Sequence, residues 1–365
     1  MSAQLDATRP SLSRYLQSPW LRPFNDPAAI DELIQRVLPR AAIANIHARV
    51  EQVIDETADT RSFVLRANRH WRGFRAGQHV LVTMEVRGRR LQRCFSLSSA
   101  PTRDRRVTIT VKRQSDQGVT AWMHAHLGVG AIVTISPAMG RFCIPDAVPR
   151  SVLMLSCGSG VTPMMAILRD LFVRGYSGDI VLLHSCKDAA DTIFGGELQA
   201  MATAWPALRV VMHFSATHGR LDEKTLAQYV PDFGGRFSLM CGPAPFALWV
   251  RALYRQHAAE ASLHSEQFGL PRPELGDGPV ASSAVLCEKS EQSFTAESGQ
   301  PLLLAAEAAG LSPRHGCRIG ICRSCQCRKR SGMVENLLTG EISAEPEQLI
   351  QLCISAARSP LTLDL

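Results

Sequence analysis

Hydrophobic positions along the chain change their period three times. Between His47 and about Pro145, short runs of alternating apolar and polar residues are separated by Gly, Pro and Asn turns; the runs are His47–Ile54, Thr60–Leu65, His79–Val86, Arg93–Ser98, Arg106–Lys112 and Ala131–Ser136. A period of two marks strands with one buried face, and short strands at near-regular spacing predict a small antiparallel β-barrel. One helix-like insertion falls at Thr120–Leu127.

From Arg150 to Gly269 the pattern becomes apolar runs alternating with helical segments. The strands are Val152–Ser156, Ile180–Ser185, Leu208–His213, Phe237–Cys241 and Ser262–Glu266, and the helices lie near Pro163–Val173, Phe194–Trp205, Asp222–Tyr229 and Pro245–His257. Such alternation predicts an α/β, doubly wound parallel sheet. A Pro/Gly-rich stretch, Leu270 to Pro279, then reads as a linker. Beyond it a strand pair, an Ala-rich helix at Leu302–Ala309, a cysteine-rich loop and a last strand around Leu361 predict a small α+β unit. Residues 1–45 mix Pro, Trp and a helical pattern at Ala28–Val37, and read as an arm folded onto the body, a partner-binding helix being the alternative. The expected division is therefore 1–45 arm, 46–147 barrel, 148–270 parallel-sheet domain, 271–281 linker and 282–365 C-terminal domain.

The N-terminus has no uninterrupted apolar core of a signal peptide, and no stretch approaches the roughly 20 apolar residues of a spanning helix. The expectation is a cytoplasmic protein. Eleven cysteines in such a chain argue for redox or metal chemistry and not for a disulfide framework. The formal charge of +7 does not imply nucleic acid, since there is no recognition-helix pattern and no basic run with interleaved aromatics. The local distribution says more: Arg314, Arg318, Arg323, Arg328, Lys329 and Arg330 lie between Gly310 and Met333 without an acid among them. A basic collar of this kind would favour an acidic docking partner.

Cys317, Cys322, Cys325 and Cys353 have the spacing C-x4-C-x2-C followed by a distant cysteine. That is the ligand spacing of a plant-type [2Fe–2S] cluster, whereas zinc usually takes two C-x2–4-C pairs. Gly316, Gly320 and Ser324 give the loop little bulk and free N–H groups near the sulfides. The remaining cysteines, Cys327 among them, read mostly as small buried hydrophobes.

Four further motifs carry candidate chemistry. In Arg93-Cys94-Phe95-Ser96, alternation puts Arg93 and Phe95 on one strand face, where an aromatic can cover a flat ring and a guanidinium can grip a phosphate. The alternative is a buried arginine paired with a carboxylate beside an ordinary core Phe. Gln117-Gly118-Val119-Thr120 precedes a helix whose free N–H groups suit a pyrophosphate, or is only a helix cap with Thr120 as the capping residue. Gly158-Ser159-Gly160-Val161-Thr162-Pro163 follows a strand and opens a helix, as a dinucleotide loop does, though it ends in Pro where the full fingerprint has Gly. Cys241-Gly242-Pro243 ends another strand at the carboxyl edge of the sheet, where doubly wound folds bind ligands.

In this order and spacing the motifs resemble the ferredoxin–NADP reductase superfamily: Arg93 to Ser96, the strand Thr108 to Arg113, Gln117 to Thr120, Gly158 to Pro163 and Cys241 to Pro243. The C-terminal cysteine motif makes the chain similar to oxygenase reductases of the phthalate dioxygenase reductase type. Asn68 to Gln78, His184-Ser-Cys, Asp191 to Phe194 and His264 to Phe268 look most similar to reductases that serve acyl-CoA desaturases.

The resemblance implies a flavin barrel, a nucleotide domain and a β-grasp ferredoxin domain, with FAD (FMN the less favoured alternative), a [2Fe–2S] cluster and NADPH or NADH as donor. Arg93, Cys94, Phe95 and Ser96 would hold the flavin, Thr110, Val111 and Lys112 would line it, and Gly118, Val119 and Thr120 would take its phosphates. Gly158, Ser159, Gly160, Val161, Thr162 and Pro163 would cradle the nicotinamide nucleotide, with Cys241, Gly242 and Pro243 beside the nicotinamide and Phe268 against the flavin ring. Ser96 and Cys241 are the candidate catalytic residues. Ser185, Cys186 and Lys187 would discriminate the nucleotide; Lys187 meets a 2′-phosphate, giving NADPH, or is a surface lysine. Gln117 stands where the family pattern has Gly, and Phe95 replaces the commoner Tyr, losing a phenolic hydrogen bond but not stacking. The implied activity is an NAD(P)H:acceptor oxidoreductase feeding a membrane fatty acyl desaturase. A reductase for a soluble ring-hydroxylating or alkane oxygenase and a non-catalytic redox sensor are the alternatives.

Overall fold

The computed structural model describes residues 45–86, 89–116, 118–269 and 281–365. The arm with its Ala28–Val37 pattern, Gln117 and nearly all of the linker lie outside the described residues.

Six antiparallel strands build the first unit: β1 (Ile46–Thr57), β2 (Thr60–Ala67), β3 (His79–Val86), β4 (Arg89–Ser96), β5 (Arg106–Lys112) and β6 (Ile132–Ile135), in the order β4-β3-β6-β1-β2-β5. A bridge between Leu97 and Ile109 returns the end of β4 to β5 and closes the sheet as a barrel. Alternation decides what fills it: Phe63, Leu65, Val80, Val82, Val107, Ile109 and Val111 point into one core. Each fully buried aliphatic or aromatic side chain there contributes about 1.5–3 kcal/mol. Helix α1 (Val119–His126) packs Val119 and Met123 against that core.

The second unit is a parallel sheet of β7 (Ser151–Cys157), β8 (Asp179–Cys186), β9 (Leu208–Phe214), β10 (Phe237–Pro243) and β11 (Leu263–Phe268), in the order β11-β10-β7-β8-β9. Strands buried on both faces need apolar residues at every position, which is why Val152 to Leu155 and Ile180 to Leu183 read as continuous runs. Helices α2 (Val161–Val173) and α3 (Gly195–Ala204) cover one face, and α4 (Glu223–Tyr229) and α5 (Ala244–Gln256) the other. The order reverses between β7 and β10, and the crevice at that reversal is where such sheets take ligands.

The third unit has a mixed sheet, β12 (Ser282–Cys287), β13 (Gln292–Glu297), β14 (Gln326–Ser331), β17 (Gln348–Gln351) and β19 (Leu361–Leu363), ordered β13-β12-β19-β14-β17. Helix α6 (Leu302–Ala308) buries Leu302, Leu303, Ala305 and Ala306 on the same core as that sheet. A small sheet of β15 (Val334–Asn336), β16 (Ile342–Ser343) and β18 (Ser355–Ala357) lies beside it. Among the described residues, no helix is long and apolar enough to cross a membrane.

Candidate active site and cluster loop

A cavity of about 360 Å³ opens where the three units meet. The barrel contributes Arg93 to Ser96, Thr110, Lys112 and Gly118 to Thr120; the parallel-sheet domain contributes Ser159, Thr162, Phe268 and Gly269; the third unit contributes Cys317 and Ile319. Side chains far apart in sequence converge because β4 and β5 meet at the barrel's closing edge while β7 and β11 end beside it.

Two groups in this cavity are incompletely satisfied by the protein. Ser96 Oγ is buried and has no hydrogen-bond partner among the described residues. Arg93 is half-buried and donates only to the Gln92 carbonyl, at 2.8 Å, without a carboxylate. Burial lowers its pKa below the usual arginine range, and the charge of Arg318 adds to this while Glu307 opposes it. A buried hydroxyl without a partner and a desolvated cation without a counter-charge are costly unless a ligand satisfies them, so both fit an anionic flavin nucleotide. Helix α1 fits its phosphates: its N-cap is Gly118, with no side-chain cap and no acid in its first turn. Thr120 is therefore not the cap; its hydroxyl accepts the Gln114 N–H at 3.3 Å.

Two residues expected along the flavin behave differently. Val111 turns into the barrel core, because Thr110 and Lys112 take the alternate face, and its carbonyl is met by the His124 ring at 2.8 Å. Lys112 borders the cavity but pairs its ammonium with Asp59 at 3.1 Å and with Asp191 across the domain seam. Arg169 braces the same seam, donating to the Ser98 carbonyl at 2.6 Å and to Glu197.

In the nucleotide crevice the loop Gly158–Gly160 leads into α2, which has neither a side-chain cap nor an acid in its first turn. Gly160 is required by close approach: a Cβ there would lie 2.1 Å from the Cys241 carbonyl oxygen. The two sequence motifs thus meet at the reversal of strand order. Ser159 and Thr162 reach the cavity, whereas Val161 and Pro163 are buried in α2. Gly242 packs on Phe246 and Cys157, and Pro243 is exposed at the strand end. Cys241 is fully buried, and burial, with the charge of Glu266, pushes its thiol far above the usual range, so it presents a neutral S–H. Ser185 is buried beside Cys157, and Lys187 is exposed at the end of β8.

Sequence reasoning did not single out Glu266. Its Oε1 lies 3.3 Å from His79 Nδ1, with side-chain exposures of 10% and 2% respectively, across the seam between β11 and β3. Its charge acts on Cys94 and Cys241 together, which puts it between the flavin strand and the nucleotide crevice. The signal was its place in the His264 to Phe268 stretch, at the carboxyl end of a strand.

The cysteine loop lies against the barrel: a Cβ on Gly316 would meet Cys322 Sγ at 2.8 Å and Gln92 Oε1 at 3.3 Å. Its sulfurs form two pairs, Cys317 with Cys322 and Cys325 with Cys353. Backbone N–H groups point at them, from Cys317 to Cys322 Sγ and from Cys322 to Cys317 Sγ at 3.2 Å each, and from Gly320 to Cys353 Sγ at 3.3 Å. The hydrogen bond from the Cys317 thiol lowers the pKa of Cys322, and that from Cys353 lowers that of Cys325. Two thiol pairs ringed by N–H donors fit a two-iron cluster better than a tetrahedral zinc. Cys327 is a buried strand residue whose thiol is pushed up to about 11 by burial.

The basic collar is smaller than the sequence suggests. Arg318 forms a two-pronged pair with Glu307, Arg328 and Arg330 share Glu347, and Lys329 is buried, donating to the Gly332 and Ser343 carbonyls. The acids come from outside the loop, which is why the local run looked unopposed. Within the collar, Arg314 and Arg323 are the residues exposed and without an ion pair among the described residues.

Three family profiles match in sequence: an oxidoreductase FAD-binding domain over residues 47–144, an oxidoreductase NAD-binding domain over 154–252 and a 2Fe-2S iron-sulfur cluster binding domain over 285–358. The chain is 33% identical over 346 residues to an NADPH oxidoreductase of Mycobacterium tuberculosis, covering 93% of this chain and 89% of that one. It is 29% identical over 344 residues to a glycine betaine monooxygenase reductase subunit of Pseudomonas aeruginosa, covering 87% and 94%. Its fold is similar to that of phthalate dioxygenase reductase, with a TM-score of 0.63 at 24% identity over 88% of this chain and 98% of the other. The chain therefore belongs to the ferredoxin reductase superfamily, as an oxidoreductase with FAD-binding, NAD(P)-binding and C-terminal [2Fe–2S] domains.

Proposed function

We propose that this chain oxidises NADPH and delivers the electrons one at a time, through the cluster held by Cys317, Cys322, Cys325 and Cys353, to an oxygen-activating partner. The observation that carries this reading is the shared cavity, in which Ser96, Ser159, Phe268 and Cys317 from three domains line one space. FAD, when bound, accepts a hydride from NADPH and releases electrons singly, which a one-electron cluster requires.

The residues divide the remaining work. Arg93 and the N-terminus of α1 would hold the flavin phosphates, Phe95 and Phe268 would stack on its ring, and the Ser96 hydroxyl would be the hydrogen-bond partner for the ring. The Gly158–Gly160 loop and α2 hold the nucleotide pyrophosphate, and the neutral Cys241 thiol packs near the nicotinamide without competing as a nucleophile. NADPH as donor is supported by the relative that bears that name and by the exposed ammonium of Lys187. The working domain limits are 46–147, 148–270 and 282–365.

For the acceptor we favour a membrane fatty acyl desaturase, on the likeness of Asn68 to Gln78 and His264 to Phe268 to desaturase reductases. The second reading is a soluble oxygenase, favoured by relatives named as monooxygenase reductase components. The test is reconstitution of the purified chain and NADPH with desaturase-containing membranes and an acyl-CoA. Unsaturated product supports the first reading; its absence, with product from a soluble ring-hydroxylating oxygenase, supports the second. Failure to reduce ferricyanide or cytochrome c with either nucleotide would favour a redox sensor over both.

A further inference from the structure

A second cavity, of about 330 Å³, lies on the C-terminal domain and shares no lining residue with the flavin cavity. The flavin cavity touches the cluster loop at Cys317 and Ile319. The second is bordered by Arg323, which follows Cys322, and by Gln326 and Ile354, which follow Cys325 and Cys353. It is also wired to a ligand position: Gln351 Nε2 donates to the Gly320 carbonyl at 2.8 Å, and the Gly320 N–H donates to Cys353 Sγ at 3.3 Å.

Its walls are rich in donors. The Gln348 Oε1 is occupied by the Ser343 hydroxyl at 2.8 Å, and the Asn336 Oδ1 by the Leu338 N–H at 2.9 Å, which leaves both amide NH2 groups as available donors. Glu341 is the one carboxylate on the wall, and Leu349, 58% exposed, is an apolar rim. Arg323 supplies the charge. It is exposed and has no ion pair among the described residues, while Arg318, Arg328 and Arg330 are all neutralised. Its backbone is left-handed, with φ 58°, a conformation that glycine would adopt without strain.

We propose that this notch is the docking site for the electron acceptor, and that it takes a carboxylate side chain from an acidic partner protein onto Arg323, with Leu349 as the adjoining apolar contact. The proposal rests on the reading that electrons leave through the cluster. Each docking passes one electron and forms no bond, so one NADPH and two oxidised acceptors give NADP⁺, one H⁺ and two reduced acceptors.

Two haem proteins of opposite surface charge serve as probes: cytochrome b5, which is acidic, and cytochrome c, which is basic. In the full chain with its cofactors, Arg323→Glu is expected to raise KM for cytochrome b5 by about 5- to 20-fold with kcat little changed, and to lower KM for cytochrome c. Arg323→Lys should restore the wild-type values, Arg323→Gly should fall between, and Leu349→Glu should raise KM for cytochrome b5. The visible spectrum of the cluster should be the same in all four. Cytochrome b5 reduction that depends on the cluster but is unmoved by Arg323→Glu overturns the docking inference alone, as does an equal change for both cytochromes. Cytochrome reduction that survives Cys322→Ser overturns the exit through the cluster, and the docking inference with it.

Discussion

The ammonium of Lys112, at the end of barrel strand β5, is hydrogen-bonded to the carboxylate of Asp191 in the nucleotide domain, and Asp59 shares the same ammonium. Burial works against the charged lysine, yet its pKa is raised, because the hydrogen bonds to Asp191 and Asp59 outweigh desolvation. This pair and the Arg169 contact to Ser98 set the barrel against the sheet beside the cavity. Asp191→Asn is expected to cost about 1–2 kcal/mol, between the values for exposed and buried pairs, in denaturant titration of the full chain. Asp191→Glu should lose less, since it keeps the charge; equal losses in the two variants would show that charge is not what matters.

Ser96 offers a sharper contrast between chemistry and stability. Its buried hydroxyl has no protein partner, so Ser96→Ala should leave the stability of the cofactor-free chain unchanged or slightly higher. Stopped-flow reduction of the flavin band by NADPH should slow by about 10- to 100-fold. A clear loss of stability without a change in rate would give Ser96 a structural role instead.

His184 makes the nucleotide domain sensitive to acid. Complete burial brings its pKa down to about 4, with its Nδ1 against Ser156 Oγ at 2.9 Å. The unfolded chain takes up this proton near pH 6.5 and the folded chain only near 4. Stability is therefore whole above pH 6.5 and is lost as pH falls toward 4, by roughly 3 kcal/mol in total. His184→Gln should flatten the stability profile between these values, whatever its cost at neutral pH; an unchanged slope would assign the acid lability to other groups.

Gly160→Ala tests the meeting of the two nucleotide motifs. The added Cβ would fall 2.1 Å from the Cys241 backbone oxygen, which cannot move aside as a flexible side chain can. KM for NADPH should rise at least tenfold, with the cluster spectrum retained. An unaltered KM would mean that the loop does not hold the nucleotide.

Much of this was legible along the chain because it is local. Cysteine spacing, glycine loops at strand ends and the change from period two to continuous apolar runs all depend on near neighbours, and in the first two units the observed strands fall on the expected runs with shifts at their ends, whereas β14 to β18 of the third unit carry no such run. What was missed is long-range. Glu307 on α6 neutralises Arg318, Asp191 captures Lys112, and His79 meets Glu266 only after two domains dock. Val111 was misplaced for a different reason: a three-residue motif was assigned to the ligand as a block, while strand alternation sends its middle residue inward. The collar of arginines was overcounted because charge runs in sequence say nothing of the acids that fold onto them.

The most direct measurement of the electron order is Cys322→Ser in the full chain, assayed with NADPH against two acceptors while the cluster is followed by electron paramagnetic resonance. Cys322 pairs with Cys317 and is the half-buried thiol of the four, the other three being buried. The expected result is loss of the cluster signal and of cytochrome c reduction, with ferricyanide reduction at the flavin largely kept. Equal loss of both activities, or cytochrome reduction that persists without the cluster, would contradict a path from flavin through cluster to partner.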